Sequence, residues 1–199
     1  MSVAENILNF WFEGFDNPEK INAKEVNRWF MSTEEYNKRI RDLFFEDLLK
    51  AERGEYDNWI NSPRENLALI ILLDQFSRNL YKDTPGQVKN DPKAVDVAKY
   101  AIDNGFDMQL WPIHRLFIYL PFEHAEDLRL QQFCLDKFDQ NIASTQGEIK
   151  EAMEGFKYFA HLHYVVIEKY GRFPGRNKML GRSNTAEEDE YLKTDPYGF

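Results

Sequence analysis

The sequence predicts an all-α protein, on three observations. Apolar residues recur at the three- and four-residue spacing of amphipathic helices through most of the chain. Glycine and proline are sparse, at 10 and 8 of 199 residues, and no segment alternates apolar and polar residues as a half-buried strand does. Hydrophobic residues make up 43% of the chain, which is ample material for one core. We expect about eight helices in a single bundle that spans residues 1–199.

Three helices in the first half are predicted from their starts. The segments 2–5, 32–35 and 62–65 each place a serine three residues before a glutamate, as in a capping box. The second of these helices has Gly54 as a plausible carboxyl-terminal cap. The third begins with Pro63, continues to about Leu80 and is apolar on every side at first, so we expect it to be central.

Proline and glycine also mark the middle of the chain. Asp91 and Pro92 begin a helix that Gly105 ends, and Pro112 begins a short helix. Pro121 should interrupt or kink that helix, because proline removes a hydrogen bond and clashes with the preceding turn. A further helix is predicted over 122–138, followed by a loop over 139–147.

The last part of the chain predicts two more helices. A long one runs from the 139–147 loop to about Tyr170, with Gly171 as its stop. Thr185 and Glu188 form a capping-box pattern before a short final helix.

The charge of the chain argues against two classes of partner. The formal net charge is -9 and the sequence pI is about 5.0, so phosphate backbones and anionic lipid are repelled and we expect neither nucleic acid nor a membrane as partner. The segment 169–185 is the exception, because it has no acidic residue and carries these basic ones: Lys169, Arg172, Arg176, Lys178 and Arg182.

Other classes of site are also unexpected. The lone Cys134 lies in an apolar helical pattern, which indicates a buried thiol and rules out an intramolecular disulfide or a cysteine-cluster zinc site. The chain has no glycine-rich phosphate loop and no nucleophile elbow. It also has no secretory signal, and its longest apolar run, 67–73, is far short of the roughly 20 residues of a membrane span. We expect a cytoplasmic protein.

Two groups of polar residues interrupt or follow apolar helices. Asp74 and Arg78 share a helix face that points near the core, which fits either a structural ion pair or part of a site. Glu123, His124 and Asp127 offer carboxylates and an imidazole on adjacent faces of one predicted helix. Such residues suit acid–base chemistry, a metal or a structural network. Because the di-iron and zinc-protease patterns are absent, we predict no metal and no cofactor.

A third group combines glycine with arginine in a turn-rich segment. Arg172, Arg176 and Arg182 each follow a glycine, so a rigid loop could aim their guanidinium groups at a carboxylate or phosphate. The alternative is that they neutralise the acidic residues of the first two groups and Glu126. His163 lies on the apolar stripe of the long helix, where it is either a hydrogen-bonded core residue or a second histidine for a site.

These groups, in this order, resemble the bacterial domain of unknown function 924 family over nearly the whole chain. The motifs that carry the resemblance are Asn9-Phe10-Trp11-Phe12, Arg28-Trp29-Phe30, Pro63-Arg64, Leu72-Leu73-Asp74-Gln75-Phe76, Arg78-Asn79, Tyr119-Leu120-Pro121-Phe122-Glu123-His124-Ala125-Glu126-Asp127, His163, Gly171-Arg172-Phe173-Pro174, Arg176-Asn177, Leu180-Gly181-Arg182 and Thr185 with Glu188. The resemblance implies an all-α, tetratricopeptide-like fold, and it supplies no activity whose catalytic roles could be carried over. The chain departs from the family at Gly175, where a histidine usually precedes the arginine–asparagine pair.

The leading functional hypothesis is a charged pocket where the three groups converge, which binds an anionic small molecule or a peptide terminus. Its predicted ligand-binding residues are Asp74, Arg78, Glu123, His124, Asp127, His163, Arg172, Arg176 and Arg182.

Three other hypotheses remain open. The first is a small hydrolase or lyase with His124 or His163 as base, for which Glu123 and Asp127 are further catalytic candidates. The second is a protein-interaction module with a concave helical surface. The third is a buried network that only fixes the register of the helices.

Overall fold

A computed structural model describes residues 1–195 and 197–199, with Ala23 described by its backbone only. The described residues form nine α-helices and no strand, so the all-α prediction is confirmed and the predicted number of about eight is close. The helices are α1 (Val3–Trp11), α2 (Ala23–Phe30), α3 (Glu34–Glu52), α4 (Pro63–Ile70, running on through Ile71–Phe76 and Ser77–Leu80), α5 (Asp91–Asp103), α6 (Pro112–Glu123), α7 (Leu128–Ala143), α8 (Gly147–Tyr170) and α9 (Ala186–Thr194).

Helix α4 is the centre of the bundle, as its all-round apolar character predicts. Every residue from Leu67 to Leu73 is fully buried, and the helix packs against α1, α3, α5 and α6. Its middle, Ile71–Phe76, is wound as a π-helix, in which each hydrogen bond spans one more residue than in an α-helix. Asp74 lies inside this π-helical segment.

Aromatic side chains from several helices fill the core beside α4. The rings of Trp11 and Trp29 stack at a centroid distance of 6.1 Å, and Trp29 Nε1 donates a hydrogen bond of 2.8 Å to the Trp11 carbonyl. Phe117 of α6 closes edge-on against both indoles. These contacts hold α2 in place, although no side-chain hydrogen bond caps its start.

The predicted starts are partly confirmed. Ser2 accepts a hydrogen bond from the Glu5 amide at the start of α1, and Thr185 with Glu188 forms the full capping box of α9. The cap of α3 is Thr33 rather than Ser32, because the helix begins one residue later. Ser62 precedes α4 without making a side-chain cap bond.

Two predictions about the chain between Pro121 and Gly147 are wrong. Helix α6 passes through Pro121 and ends at Glu123, so residues 122–138 are not one helix. Proline removes one hydrogen bond of a helix, and only two residues of α6 follow Pro121, so little of the helix is affected. The turn 124–127 then leads into α7. The predicted loop 139–147 shrinks to 144–146, because Asn141 is buried and donates to the Pro112 carbonyl at 3.1 Å, which holds the last turn of α7 against α6.

The carboxyl-terminal elements pack as a small unit against the end of α8. Gly171 ends α8 in the left-handed conformation at φ 68°, which reverses the chain. Val166, Ile167 and Phe173 form a second apolar cluster that Tyr191 of α9 covers. No helix in the described ranges combines the length and the apolar character needed to cross a membrane.

Candidate functional site

The Asp74 carboxylate is the centre of a buried charged cluster. Its side chain is fully buried, and its Oδ1 atom lies 2.8 Å from Nδ1 of His124 and 2.9 Å from Nη1 of Arg78. Gln75 Nε2 donates to the other oxygen. A buried carboxylate is stable only with such partners. The predicted Asp74–Arg78 pair is therefore present, and it extends to a histidine from another part of the chain.

The electrostatics of the cluster fix where the protons are. Burial alone would raise the pKa of Asp74, but Arg78 and His124 outweigh burial and lower it, so the group is ionised at neutral pH. Burial, with Arg78 second, lowers the pKa of His124, so its ring is neutral. A neutral ring beside a carboxylate carries its proton on the facing nitrogen. Nδ1 of His124 therefore donates to Asp74, and Nε2 keeps a free lone pair.

Glu123 and His163 form a second pair beside the first. Oε1 of Glu123 lies 3.2 Å from Nδ1 of His163, which also donates to the Phe159 carbonyl at 2.9 Å. Burial, followed by repulsion from Asp74, raises the pKa of Glu123 to about 8, so this carboxyl holds a proton at neutral pH. Burial lowers the pKa of His163 to about 3.

Asp91 completes the cluster. Its carboxylate accepts two hydrogen bonds from Arg78, of 2.9 and 3.1 Å, and one of its oxygens lies 3.7 Å from Nη1 of Arg176. The sequence identified Asp91 only as the start of a helix, and the interpretation missed its role. No local spacing signals this contact, because Asp91 lies 13 residues after Arg78 and on another helix.

Arg176 brings the arginine-rich turn to this cluster. Its Nη1 atom donates 2.9 Å to the His124 carbonyl, and its guanidinium lies 4.3 Å from the centre of the Phe173 ring. Burial, with repulsion from Arg78 second, lowers the pKa of Arg176 to about 10. Among residues 1–195 and 197–199, the hydrogen bonds of the Arg176 side chain use Nη1 alone, and Nη2 and Nε are not among the buried atoms that lack a partner.

The other two predicted arginines bind carboxylates elsewhere. Arg172 makes bonds of 2.7 and 2.8 Å to Glu188 of α9. Arg182 makes bonds of 2.7 and 2.8 Å to Glu126, whose Oε1 also accepts from the Phe173 amide. Opposite charges from distant segments therefore do form contacts, as predicted. Arg172 and Arg182, however, hold the arginine-rich turn 171–182 in place and do not contact Asp74 or Glu123.

Asp127 is a helix cap. It accepts hydrogen bonds from the amides of Arg129 and Leu130 at the start of α7, and its side chain is 38% exposed. Glu123 ends one helix and Asp127 precedes the next, so His124 and Asp127 do not share a helix face as expected. Gln131 fixes the turn between them, since its Nε2 donates to the Glu123 and Ala125 carbonyls.

An open cleft of about 430 Å³ borders the cluster, and we call it the Arg176 cleft. His124 forms part of its wall, and the side chains of His124 and Arg176 are 14% and 15% exposed. Its lining residues are Val88, Asp91, Pro92, Val95, Asp96, Lys99, His124, Ala125, Glu126, Asp127, Leu130, Arg176 and Leu180. In the part of the chain that the structure describes, no three acidic, histidine or cysteine side chains converge as metal ligands.

Gly175 lies where the chain departs from the family pattern, and its surroundings explain the glycine. Its amide donates 2.6 Å to the Phe199 carbonyl, and a Cβ atom at this position would lie 2.2 Å from the Gly198 carbonyl oxygen. The ring of Phe199 in turn lies 3.9 Å from that of His163, centre to centre. Residues 197–199 thus occupy the space that a side chain at position 175 would need.

The comparisons with known proteins agree with this fold. The family model described as a bacterial protein of unknown function (DUF924) matches residues 7–195. The solved structure of a protein of unknown function, ATU0120, from Agrobacterium tumefaciens has a TM-score of 0.82 and 33% identity to this chain, and the match covers 97% of this chain and 98% of that one. None of the curated proteins matches the chain. Neither match names a superfamily, so the tetratricopeptide-like relationship stays a prediction. The chain belongs to the DUF924 family.

Proposed function

We propose that the protein binds a small molecule with one negative charge in the Arg176 cleft, with Arg176 as the anchor. The observation that carries this proposal is the state of that guanidinium. The side chain is mostly buried, and its Nη1 atom donates a hydrogen bond to the His124 carbonyl. The other two nitrogens, Nη2 and Nε, make no hydrogen bond to a described residue. An anion at the cleft would accept hydrogen bonds from them.

The local charge balance supports an anionic ligand. Arg78 takes both oxygens of Asp91, so Arg176 has only a 3.7 Å contact with that carboxylate. The lowered pKa of Arg176, which burial and Arg78 cause, means that its positive charge is poorly compensated. Charge-assisted hydrogen bonds to a carboxylate are stronger than neutral ones, which favours such a ligand.

The rest of the cleft limits the ligand to a small, singly charged and partly apolar molecule. Its other walls carry Lys99 as well as Asp96, Glu126 and Asp127. Arg182 and Arg129 already pair Glu126 and Asp127, so one further negative charge meets less repulsion than the two of a phosphate monoester would. Val95, Leu130 and Leu180 offer an apolar wall for a short hydrocarbon body. A volume of about 430 Å³ falls in the range of small-molecule sites, and the apolar wall favours a short-chain carboxylate over the polar backbone of a peptide terminus.

Calorimetric titration with a matched series tests the proposal. Hexanoate should bind the protein, hexanol should bind more weakly, and Arg176→Gln should weaken hexanoate binding about ten-fold or more, the effect expected from losing charge-assisted hydrogen bonds. Arg53→Gln, an exposed arginine on the carboxyl-terminal end of α3, serves as control. Equal binding of hexanoate by the wild type and Arg176→Gln would refute the proposal, and tighter binding of a dipeptide would favour the peptide alternative.

Acid–base catalysis is a second candidate, on the observation of the Asp74–His124 pair. The pair resembles the arrangement in which a carboxylate orients a histidine base, because Nδ1 donates to Asp74 and the lone pair of Nε2 stays free. No described residue bonds to Nε2, and the partly exposed ring is at the cleft wall.

Proton exchange separates turnover from binding. A β-keto acid such as 3-oxohexanoate has acidic C2 protons, and a base at His124 would speed their exchange in deuterium oxide above the buffer rate, as NMR would detect. His124→Asn should remove the acceleration while the ligand still binds through Arg176. If the C2 protons of the bound ligand exchange only at the buffer rate, the catalytic proposal is wrong and binding alone is supported.

A further inference from the structure

A second cavity, of about 1020 Å³, runs along α1 and the residues that follow it to Asp16, beside the amino-terminal ends of α4 and α6, and it shares no lining residue with the Arg176 cleft. We propose that this amino-terminal cavity binds a small organic cation, an amine with an apolar or aromatic body. Three features of its wall support that class of ligand: a stacked aromatic surface, a buried imidazole nitrogen without a partner, and an excess of carboxylates.

The aromatic surface is built around His114. Its imidazole lies parallel to the Trp111 indole, with ring centres 5.3 Å apart and 7° between the planes, and Phe12 contacts it at 4.3 Å. The Trp111 side of this stack is open, since the residue is 38% exposed. The indole face attracts ammonium and guanidinium groups more strongly than other aromatic faces do.

His114 adds a hydrogen-bond acceptor. The residue is 8% exposed, and its Nδ1 atom is buried with no partner in residues 1–195 or 197–199. Burial, with Arg64 second, lowers the pKa of His114 to about 4, so the ring is neutral and one nitrogen has a free lone pair. A buried unpaired polar atom is unfavourable, and a small shift of the stack that lets a ligand N–H reach it would remove the defect.

The charges in the lining of the cavity determine which sign of charge the ligand should carry. Arg64 is the sole lysine or arginine in the described lining, and it already holds Glu5 through two bonds of 2.7 Å. Each of three helix amino-termini adds about half a positive charge. The negative charge of the four carboxylates in the lining exceeds the positive charge of Arg64 and the helix ends together. These carboxylates belong to Glu5, Glu13, Asp16 and Glu65. Neither Asp16 nor Glu65 forms an ion pair with any described residue, so both remain available to a cation.

Three probes with the same phenylethyl body test the proposal by calorimetric titration: 2-phenylethylamine, 2-phenylethanol and 3-phenylpropanoate. The amine should bind about ten-fold more tightly than the alcohol, and the carboxylate should bind more weakly than either at this cavity. In NMR spectra, the amine should shift the His114 ring signals and leave those of His124 unchanged.

Two variants locate the site. The double variant Asp16→Asn/Glu65→Gln changes only side chains outside ion pairs and should weaken amine binding about five-fold. Trp111→Leu should weaken it by a similar factor, and if that variant fails to fold, the double variant decides. Glu151→Gln/Glu154→Gln, which removes two exposed acids on α8, is the matched control for the double variant. No amine binding, equal binding of amine and alcohol, or unchanged binding to the double variant would each overturn the proposal.

Discussion

Nδ1 of His124 lies 2.8 Å from Oδ1 of Asp74, although the two residues are 50 positions apart in the chain. This bond joins the middle of α4 to the turn that follows α6. The same carboxylate oxygen contacts Arg78, so one buried charge holds a cation and an imidazole together. The orientation of the His124 ring therefore depends on Asp74, which also shares the Arg78 guanidinium with Asp91.

Asp74→Asn should lower the free energy of unfolding by about 3 kcal/mol, because removing one partner of a buried pair leaves the others uncompensated. Urea unfolding at neutral pH measures the change. Asp96→Asn, on the exposed side of α5, should change it by less than about 0.5 kcal/mol. Similar values for the two variants would contradict the central position of Asp74.

Glu123 should make the protein less stable as the pH rises above about 6.5. The pKa of its carboxyl is raised to about 8 in the folded protein, against 4.5 in an ordinary environment, so between these values the folded chain holds a proton that the unfolded chain has lost. Stability from this proton is complete below pH 4.5 and falls by about 1.4 kcal/mol per pH unit until the folded pKa is passed.

Glu123→Gln removes that dependence, because an amide does not ionise. The lowered pKa values of His163, His114 and His124 give a slope of opposite sign that fades as the pH rises past their ordinary value of 6.5. The wild type and the variant share these contributions, so they cancel when the two slopes are compared from about pH 6.5 to 7.5. Urea unfolding should give a shallower slope for the variant. Parallel slopes for the wild type and the variant would show that Glu123 is ionised in the folded protein.

The Arg182–Glu126 pair should link the arginine-rich turn 171–182 to the turn after α6 with a coupling free energy of about 1 to 2 kcal/mol. Its two hydrogen bonds are charge-assisted, and the side chains are 25% and 26% exposed, which reduces screening by solvent without abolishing it. A double-mutant cycle with Arg182→Met and Glu126→Gln measures the coupling. The exposed pair Arg53–Glu55 is the reference and should give less than about 0.5 kcal/mol.

Gly175→Ala should displace residues 197–199 from the turn. The new Cβ would lie 2.2 Å from the Gly198 carbonyl oxygen, and something must move. Because the contact involves only this short segment, the free energy of unfolding should change by less than about 1 kcal/mol. NMR signals of the His163 ring, which Phe199 contacts, should shift strongly. An unshifted His163 ring would mean that the segment does not cover it.

The helical fold could be predicted because its signals are local. Caps such as Thr185 act within one turn, and the all-round apolar run of α4 can only be central. The end of α6 could not be predicted in this way, since Gln131 fixes the turn 124–127 from the next helix. Proline at 121 suggested a break two residues too early.

The sequence predicted which segments of the chain form the candidate site, but it did not predict which side chains pair with one another. Asp74, His124 and Arg176 stand out as polar residues in apolar or glycine-rich surroundings, and the packing brings them together. Which carboxylate each arginine binds depends on how the helices pack, which local spacing does not encode. Arg172 binds Glu188 because α9 docks beside it, although the sequence predicted Arg172 in the pocket with the acidic residues near His124.

The π-helical segment of α4 also changes the angular phase of the helix. A residue advances an α-helix by about 100°, so one additional residue in a turn rotates everything after it by about that angle relative to everything before. The apolar residues before Ile71 and the polar residues after Phe76 thus need not share a single stripe. One helix can therefore face a hydrocarbon interior with its first half and an ionic neighbourhood with its second.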